Sequence, residues 1–135
     1  MIIAPMDPIT PSALPQDATM EGALRLTDWG VIRAQGADAA SFLHGQLTQD
    51  INQLSASQAR LAGYCSAKGR LLASLVVCRR DPEELLLLCS ADLLAPTLKR
   101  LSMFVLRAKC KLSDASAELA VHGLVGIAAT RMLGD

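Results

Sequence analysis

The sequence has few aromatic side chains, no surplus of either charge and no long hydrophobic run. It contains one Trp, one Tyr and two Phe, although 51% of its 135 residues are hydrophobic, so its core must be built mainly from aliphatic side chains. Lys plus Arg (13) equals Asp plus Glu (13), which argues against a nucleic-acid-binding arm or an anionic-membrane anchor, because both need a basic surplus. Apolar runs such as residues 71–77 and 85–88 are far too short to span a bilayer.

The cysteines also lack the arrangement that metal sites use. Cys65, Cys78, Cys89 and Cys110 include no CxxC pair, and zinc and iron–sulfur sites usually draw on such close pairs. We therefore expect no metal site within the chain, and cysteines that act as small buried hydrophobes in a reducing compartment. No signal-peptide pattern is visible at the N-terminus, so the predicted location is the cytoplasm.

Proline marks the first boundary along the chain. Residues 1–21 contain four of the six prolines, which predicts an extended, disordered leader. Residues 22–135 are predicted to form the folded part. A helical pattern over residues 127–133 has no clear cap before the sequence ends, which predicts a domain truncated at its C-terminus.

The pattern of apolar residues predicts an α+β fold, with an antiparallel sheet and flanking helices. Hairpin connections at residues 67–70 and 81–83 join three strands into a meander, and strands are followed by a helix and then by strands. The predicted strands are residues 24–27, 31–34, 60–66, 71–79, 84–89, 109–112 and 118–124. The predicted helices are residues 37–47, a helix capped by Ser90 whose regular part starts at Pro96, and residues 127–133.

Few residues stand out as candidates for chemistry. His44 and His122 are the two histidines, and a solvent or packing role is favoured for each over catalysis. The sequence has no GxSxG, GxGxxG or P-loop pattern, which lowers the expectation of a serine nucleophile or a nucleotide-phosphate site. Asp50 follows a predicted helix end and has two interpretations: its carboxylate bonds local backbone amides, or it faces a pocket and accepts hydrogen bonds from a ligand. Lys68 and Arg70 also have two interpretations: they are solvated charges of a turn, or they form a basic turn that holds a ligand carboxylate.

Three segments together resemble the YgfZ-type folate-binding proteins, which are relatives of the glycine-cleavage T-protein. They are GADAASFLHGQLTQDI at residues 36–51, YCSAKGRLL at residues 64–72, and residues 98–112, where a helix leads into a Lys-Cys-Lys strand. The resemblance covers about residues 23–125. It implies a three-domain fold around a folate channel, of which this chain supplies mostly the first part. It also implies tetrahydrofolate as cofactor, and iron–sulfur enzymes such as a tRNA methylthiotransferase as partners.

The sequence also departs from the family pattern. The downstream family motif with its reactive cysteine is absent, so none of the cysteines here takes that role. Where the T-protein has an Asp-Asp pair, this chain has Ala73 and Ser74, and where it has a strand-end asparagine this chain has Cys89. The family's aspartate before the loop is kept as Asp50. Aminomethyl transfer by this chain is therefore not expected, because neither Ala73 nor Ser74 can act as a carboxylate.

The resemblance then implies a site and a function. The implied folate-binding residues are Asp50, Tyr64, Ser74, Leu88, Cys89, Ser90 and Ala91. The leading hypothesis is a non-catalytic or weakly catalytic folate-binding accessory protein that supports iron–sulfur enzyme assembly or repair and tRNA methylthiolation. One alternative is a tetrahydrofolate-dependent aminomethyltransferase of the T-protein class, and another is a structural domain with a vestigial pocket. We also expect self-association of the fragment, because part of a channel leaves apolar surface exposed.

Overall fold

The computed structural model of the chain describes residues 2–5 and 22–133. The chain divides into two compact units, one spanning Asp28–Ala115 and the other drawn from Met1–Thr27 and Ser116–Asp135. In chain order the elements are β1 (Ile2–Pro5), β2 (Gly22–Arg25), β3 (Trp29–Gln35), α1 (Ala39–Gln46), β4 (Ala59–Cys65), β5 (Leu71–Asp81), β6 (Glu84–Ser90), α2 (Ala91–Met103), β7 (Lys111–Asp114), β8 (Leu119–Val125) and α3 (Ile127–Leu133).

The larger unit contains a five-stranded antiparallel sheet in the order β4-β5-β6-β3-β7. Its first three strands are the meander that the sequence predicts, since both connections are tight turns. In the β4–β5 turn Gly69 has a φ of +77°, and Ser66 N donates to Arg70 O at 2.8 Å. In the β5–β6 turn Glu83 N donates to the Asp81 carboxylate at 3.0 Å. The α+β prediction is confirmed.

Helices α1 and α2 pack on one face of this sheet and form the core with it. Leu43 of α1 and Leu101 of α2 are fully buried in the same cluster as Leu87 of β6. Strand β6 is buried from Glu84 to Cys89, as expected for a strand covered on both faces. The core is aliphatic apart from Phe42 and Tyr64, which agrees with the composition.

Helix α2 begins earlier than the sequence predicts. The regular helix was expected from Pro96, because proline lacks an N–H and suits the first helical turn. Instead α2 begins at Ala91, whose N donates to Asp28 O at 2.7 Å, and Pro96 lies inside it. Burial of Leu94, Thr97 and Leu101 along one side of the helix offsets the hydrogen bond that Pro96 cannot make.

The smaller unit is built around β8, which pairs with β1 on one side and β2 on the other, both antiparallel. Helix α3 follows β8 in the chain and contacts β2 and β8. The predicted leader is wrong for Ile2–Pro5, because this segment pairs with residues Leu119 to His122 of β8. Residues 6–21 of the predicted leader lie outside the described residues. The span predicted as one folded part is shared between the two units.

Candidate functional site

The segment after α1, residues 47–50, lies along β4, the outer strand of the five-stranded sheet. Leu47 forms a bridge with Tyr64, and Thr48 N donates to Gly63 O at 3.0 Å. The Thr48 hydroxyl accepts from Gly63 N at 2.7 Å, and Gln49 Nε2 donates to Leu61 O at 3.2 Å. These bonds satisfy backbone groups at the sheet edge, and they fix the position of Asp50 beside it.

Gly63 leaves room for this close approach. A Cβ at position 63 would lie 3.0 Å from Leu71 Cδ1 and 3.3 Å from the Thr48 hydroxyl oxygen. Gly63 pairs with Ser74 across the β4–β5 ladder, so Thr48 and Ser74 lie on the same face of the sheet. The face opposite the two helices therefore has polar side chains here.

Asp50 makes local contacts and keeps part of its carboxylate accessible. Its Oδ1 accepts from Gln53 N at 3.2 Å and lies 3.3 Å from His44 Nδ1, while its carbonyl accepts from Arg60 Nη1 at 3.2 Å. The local interpretation is thus confirmed for one backbone amide. The Asp50 side chain is nevertheless 48% exposed, so the ligand-facing interpretation also stays a prediction.

Strand alternation separates the other implied folate-binding residues. Val76 pairs with Leu88, and Ser74 lies two residues before Val76, so Ser74 and Leu88 share one face of the sheet. Tyr64 and Cys89 belong to the core cluster on the opposite, helix-covered face. The structure therefore brings Ser74 and the segment of Asp50 together, and it does not place all the implied residues around one pocket.

Ser90 and Ala91 lie where β6 passes into α2. Both are exposed. The Ser90 hydroxyl donates a hydrogen bond to the Asp92 carboxylate, and Ala91 N donates one to Asp28 O. Ser90 is the N-cap residue by position, but its hydroxyl makes no capping bond to the helix backbone.

The two positions of the family's aspartate pair have opposite environments. Ala73 is 3% exposed and pairs with Tyr64 on the helix-covered face. Ser74 is exposed on the other face. A carboxylate at position 73 would be desolvated in the core, whereas one at position 74 would be solvated. Position 74 is thus where a carboxylate could act on a ligand, and this chain has a hydroxyl there.

A cleft of about 350 Å³ opens on the helix-covered side of the larger unit. We call it the α2 cleft, and its lining residues are Tyr64, Leu72, Leu93, Pro96, Thr97, Lys99, Arg100 and Met103. One of the implied folate-binding residues, Tyr64, belongs to it. The sequence alone does not reveal this cleft, because the helical pattern indicates only the buried side of α2, and the cleft also needs the β4–β5 hairpin beside that helix.

A second feature absent from the sequence analysis is a partly buried charge cluster. Arg33 Nε lies 2.8 Å from one oxygen of Glu84, and Arg80 Nε lies 3.7 Å from the other. The Arg33 and Glu84 side chains are 15% and 11% exposed. The Glu84 carboxylate thus lies between two guanidinium groups beside the β5–β6 turn, which suits a structural role.

Cys78, Cys89 and Cys110 are poorly suited to reactivity. Burial raises the pKa of Cys89 from 9.0 to about 11, with smaller contributions from Asp114 and Asp92. Burial also raises the pKa of Cys78 and of Cys110. These thiols are therefore protonated at neutral pH. The prediction of small buried hydrophobes holds for Cys89, whereas Cys65, Cys78 and Cys110 are only partly buried. Within the described part of the chain, no three His, Cys, Asp or Glu side chains could hold a metal ion, and no helix is long and apolar enough to cross a membrane.

Comparison with known proteins agrees with the family that the motifs indicate. The chain is 42% identical over 114 residues to the tRNA-modifying protein YgfZ of Edwardsiella ictaluri, covering 82% of this chain and 33% of that protein. It is 40% identical over 58 residues to the tRNA-modifying protein YgfZ of Klebsiella pneumoniae, covering 43% of this chain and 18% of that protein. The resemblance to YgfZ-type proteins is confirmed. No protein-family model matches the chain.

The fold is also that of a known protein class. The structure resembles glycine cleavage system aminomethyltransferase T from Bartonella henselae with a TM-score of 0.69. The match covers 82% of this chain and 30% of that protein, at 19% sequence identity. It confirms a T-protein-like fold. The chain spans about a third of the length of the Edwardsiella YgfZ.

Proposed function

We propose that the chain is part of a folate-binding accessory protein of tRNA modification, which supports iron–sulfur enzymes such as a tRNA methylthiotransferase. The observation that carries this proposal is the 42% identity over 114 residues to a tRNA-modifying YgfZ. Tetrahydrofolate and the iron–sulfur clients come from the family resemblance. The T-protein-like fold supports the same proposal, because that class of fold is built around a folate channel.

In this proposal the exposed face near β4 holds part of the folate. Asp50 presents a half-exposed carboxylate, and Ser74 presents a hydroxyl on the same face as Thr48. A carboxylate can accept hydrogen bonds from two N–H groups, and a pterin ring presents such N–H groups along its edge. Leu88 is 1% exposed and would support this face from within the sheet. The residues present therefore fit a pterin, with Asp50 as its main polar partner.

The proposal assigns no group transfer to this chain. A carboxylate at position 74 would be accessible, but Ser74 supplies only a hydroxyl, which is neutral and weakly basic near pH 7. Aminomethyl transfer would need that carboxylate in the T-protein class. The alternative function therefore predicts that Ser74→Asp is needed before any methylene transfer to tetrahydrofolate is measured, whereas the accessory function predicts none in either variant.

The test is a titration of tetrahydrofolate under anaerobic conditions against the wild-type chain and two variants of Asp50. Asp50→Ala removes the carboxylate, and Asp50→Asn keeps an acceptor for Gln53 N while it removes the charge. Loss of a charged hydrogen bond should weaken binding about tenfold to a hundredfold in both variants. The control is Glu83→Gln, an equal charge change in the exposed β5–β6 turn. Unchanged affinity in both Asp50 variants would exclude Asp50 from the site.

A control for proper folding completes the design. Asp50→Asn should keep the stability of the wild-type chain, because its amide oxygen still caps the loop at Gln53. If the wild-type chain and its full-length counterpart both fail to bind tetrahydrofolate, the folate proposal is wrong, and a structural domain with a vestigial pocket is the better description.

A further inference from the structure

The α2 cleft has the size and the lining of a small-molecule site. Its volume of about 350 Å³ lies at the lower end of the range of about 300–1,000 Å³ that such sites have. Large apolar side chains at the cleft are left in contact with water: Leu72 is 36% exposed, Leu93 37% and Met103 65%. Covering such side chains releases free energy in proportion to the apolar area removed from water.

The charges at the cleft have one sign. Lys99 and Arg100 belong to its lining, and neither Asp nor Glu is among the described lining residues. The whole chain has as many acidic as basic residues, whereas the described lining of the cleft has two basic residues and no acidic one. An anionic group would be attracted to it, and a cationic group would be repelled.

Arg100 is held in a way that suits anion binding. Its guanidinium carbon lies 5.9 Å from the centre of the Phe104 ring. This distance is within the range of a cation–π contact, which leaves the guanidinium N–H groups able to donate to a carboxylate. Thr97, which is 5% exposed, adds a hydroxyl-bearing side chain to the lining.

We propose that the α2 cleft binds a small amphipathic anion, with an apolar body against Tyr64, Leu72 and Leu93 and a terminal carboxylate at Lys99 and Arg100. This site is distinct from the folate-binding face, since it lies on the helix-covered side of the sheet, opposite Ser74. Two sources share this chemistry: a free medium-chain carboxylic acid, and the benzoylglutamate end of a folate.

The test compares three probes by calorimetry on the full 135-residue chain: octanoate, heptanol and heptylammonium. The three probes carry the same heptyl chain, so they differ only in the head group and its charge. We expect octanoate to bind about threefold to tenfold more tightly than heptanol, because two exposed cations each contribute a modest attraction, and heptylammonium to bind most weakly. Equal affinity for the three probes, or binding of none of them, overturns the proposal.

Variants locate the site. Lys99→Gln with Arg100→Gln should remove the preference for octanoate over heptanol. The matched control is Arg107→Gln with Lys109→Gln, which removes the same charge from exposed positions outside the cleft lining. An octanoate affinity that falls equally in both double variants would show a general charge effect and would contradict the assignment to the cleft.

Competition separates the two sources of the ligand. If tetrahydrofolate displaces octanoate from wild type and from Asp50→Asn alike, the cleft takes the benzoylglutamate end of a folate. If tetrahydrofolate displaces no octanoate from either protein, the cleft takes a separate carboxylic acid. The titration of the Asp50 variants with tetrahydrofolate is then the only test of the folate proposal. Amide NMR shifts on adding octanoate should map to α2 and to Tyr64 and Leu72, and shifts confined to other residues would refute the site.

Discussion

Gly36 allows the chain to turn from β3 into α1 against the segment that leads into β7. Its φ is +138°, and a Cβ built there would lie 2.0 Å from Lys109 O. Two hydrogen bonds lock the same contact: Asp38 N donates to Lys109 O at 3.0 Å, and Lys109 N donates to the Asp38 carboxylate at 2.8 Å. Replacing Gly36 by alanine should therefore both strain the backbone and separate these segments.

The expected cost follows from these contacts. The disfavoured backbone conformation contributes about 1–3 kcal/mol. Loss of the neutral hydrogen bond contributes about 0.5–1.5 kcal/mol, and loss of the bond to the carboxylate about 1.5–3 kcal/mol. The free energy of unfolding should thus fall by about 3–7 kcal/mol, which is a large share of the roughly 5–15 kcal/mol that holds a typical domain folded.

Urea denaturation followed by tryptophan fluorescence measures this cost. Trp29 is the single tryptophan and begins β3, so the signal reports on the larger unit. Gly69→Ala is the control for backbone strain alone, because Gly69 has a φ of +77° but no atom within 4 Å of its Cβ position. It should cost about 1–2 kcal/mol. Gly45→Ala, in α1 with open space at Cβ, should stabilise by about 0.5 kcal/mol.

The ranking of the three variants decides the matter. If Gly36→Ala costs no more than Gly69→Ala, the close approach to Lys109 does not contribute, and the reasoning is refuted. If Gly36→Ala does not fold, Asp38→Ala tests the same contact from the other side. It removes the acceptor of Lys109 N and should cost about 1.5–3 kcal/mol.

Three further outcomes are expected from burial and charge. Cys89, whose pKa is raised to about 11, should resist iodoacetamide at pH 8 until the chain is denatured, and rapid labelling of the native protein at Cys89 would contradict this. The free energy of unfolding should also fall as pH rises from about 9 to about 11, because only the thiol of the unfolded chain ionises in that range. Leu43→Ala, at a fully buried position, should lower the unfolding free energy by about 2–5 kcal/mol, and Leu61→Ala, 74% exposed, should change it little in the same urea titration. Glu84→Gln should lower the free energy of unfolding by about 3 kcal/mol, because it removes the carboxylate that lies 2.8 Å from Arg33 Nε in a largely buried ion pair, and an unchanged denaturation midpoint would show that the pair contributes nothing.

The sequence by itself determined the elements whose signals are local. Alternating apolar residues and the two turns predicted the β4–β5–β6 meander, because a strand and a tight turn each depend on a few consecutive residues. The continuous apolar run of β6 indicated burial on both faces, which the structure shows. The motifs were also enough to indicate the relatives, since residue identities at fixed spacings need no coordinates.

Only the tertiary structure decided which segments meet. β2 and β3 are neighbours in sequence but belong to different sheets, and β7 pairs with β3 across a long stretch of chain. α2 begins at Ala91 rather than Pro96, because packing of its buried side outweighs a local preference.

The candidate site depended on the same long-range contacts. Periodicity tells which side chains of one strand share a face, but it does not tell which strand or helix lies opposite. The resemblance placed Tyr64 and Ser74 in one site, and pairing across the sheet put them on opposite faces. The α2 cleft exists only where α2 lies beside the β4–β5 hairpin, so its cationic lining becomes visible once these distant segments are packed together.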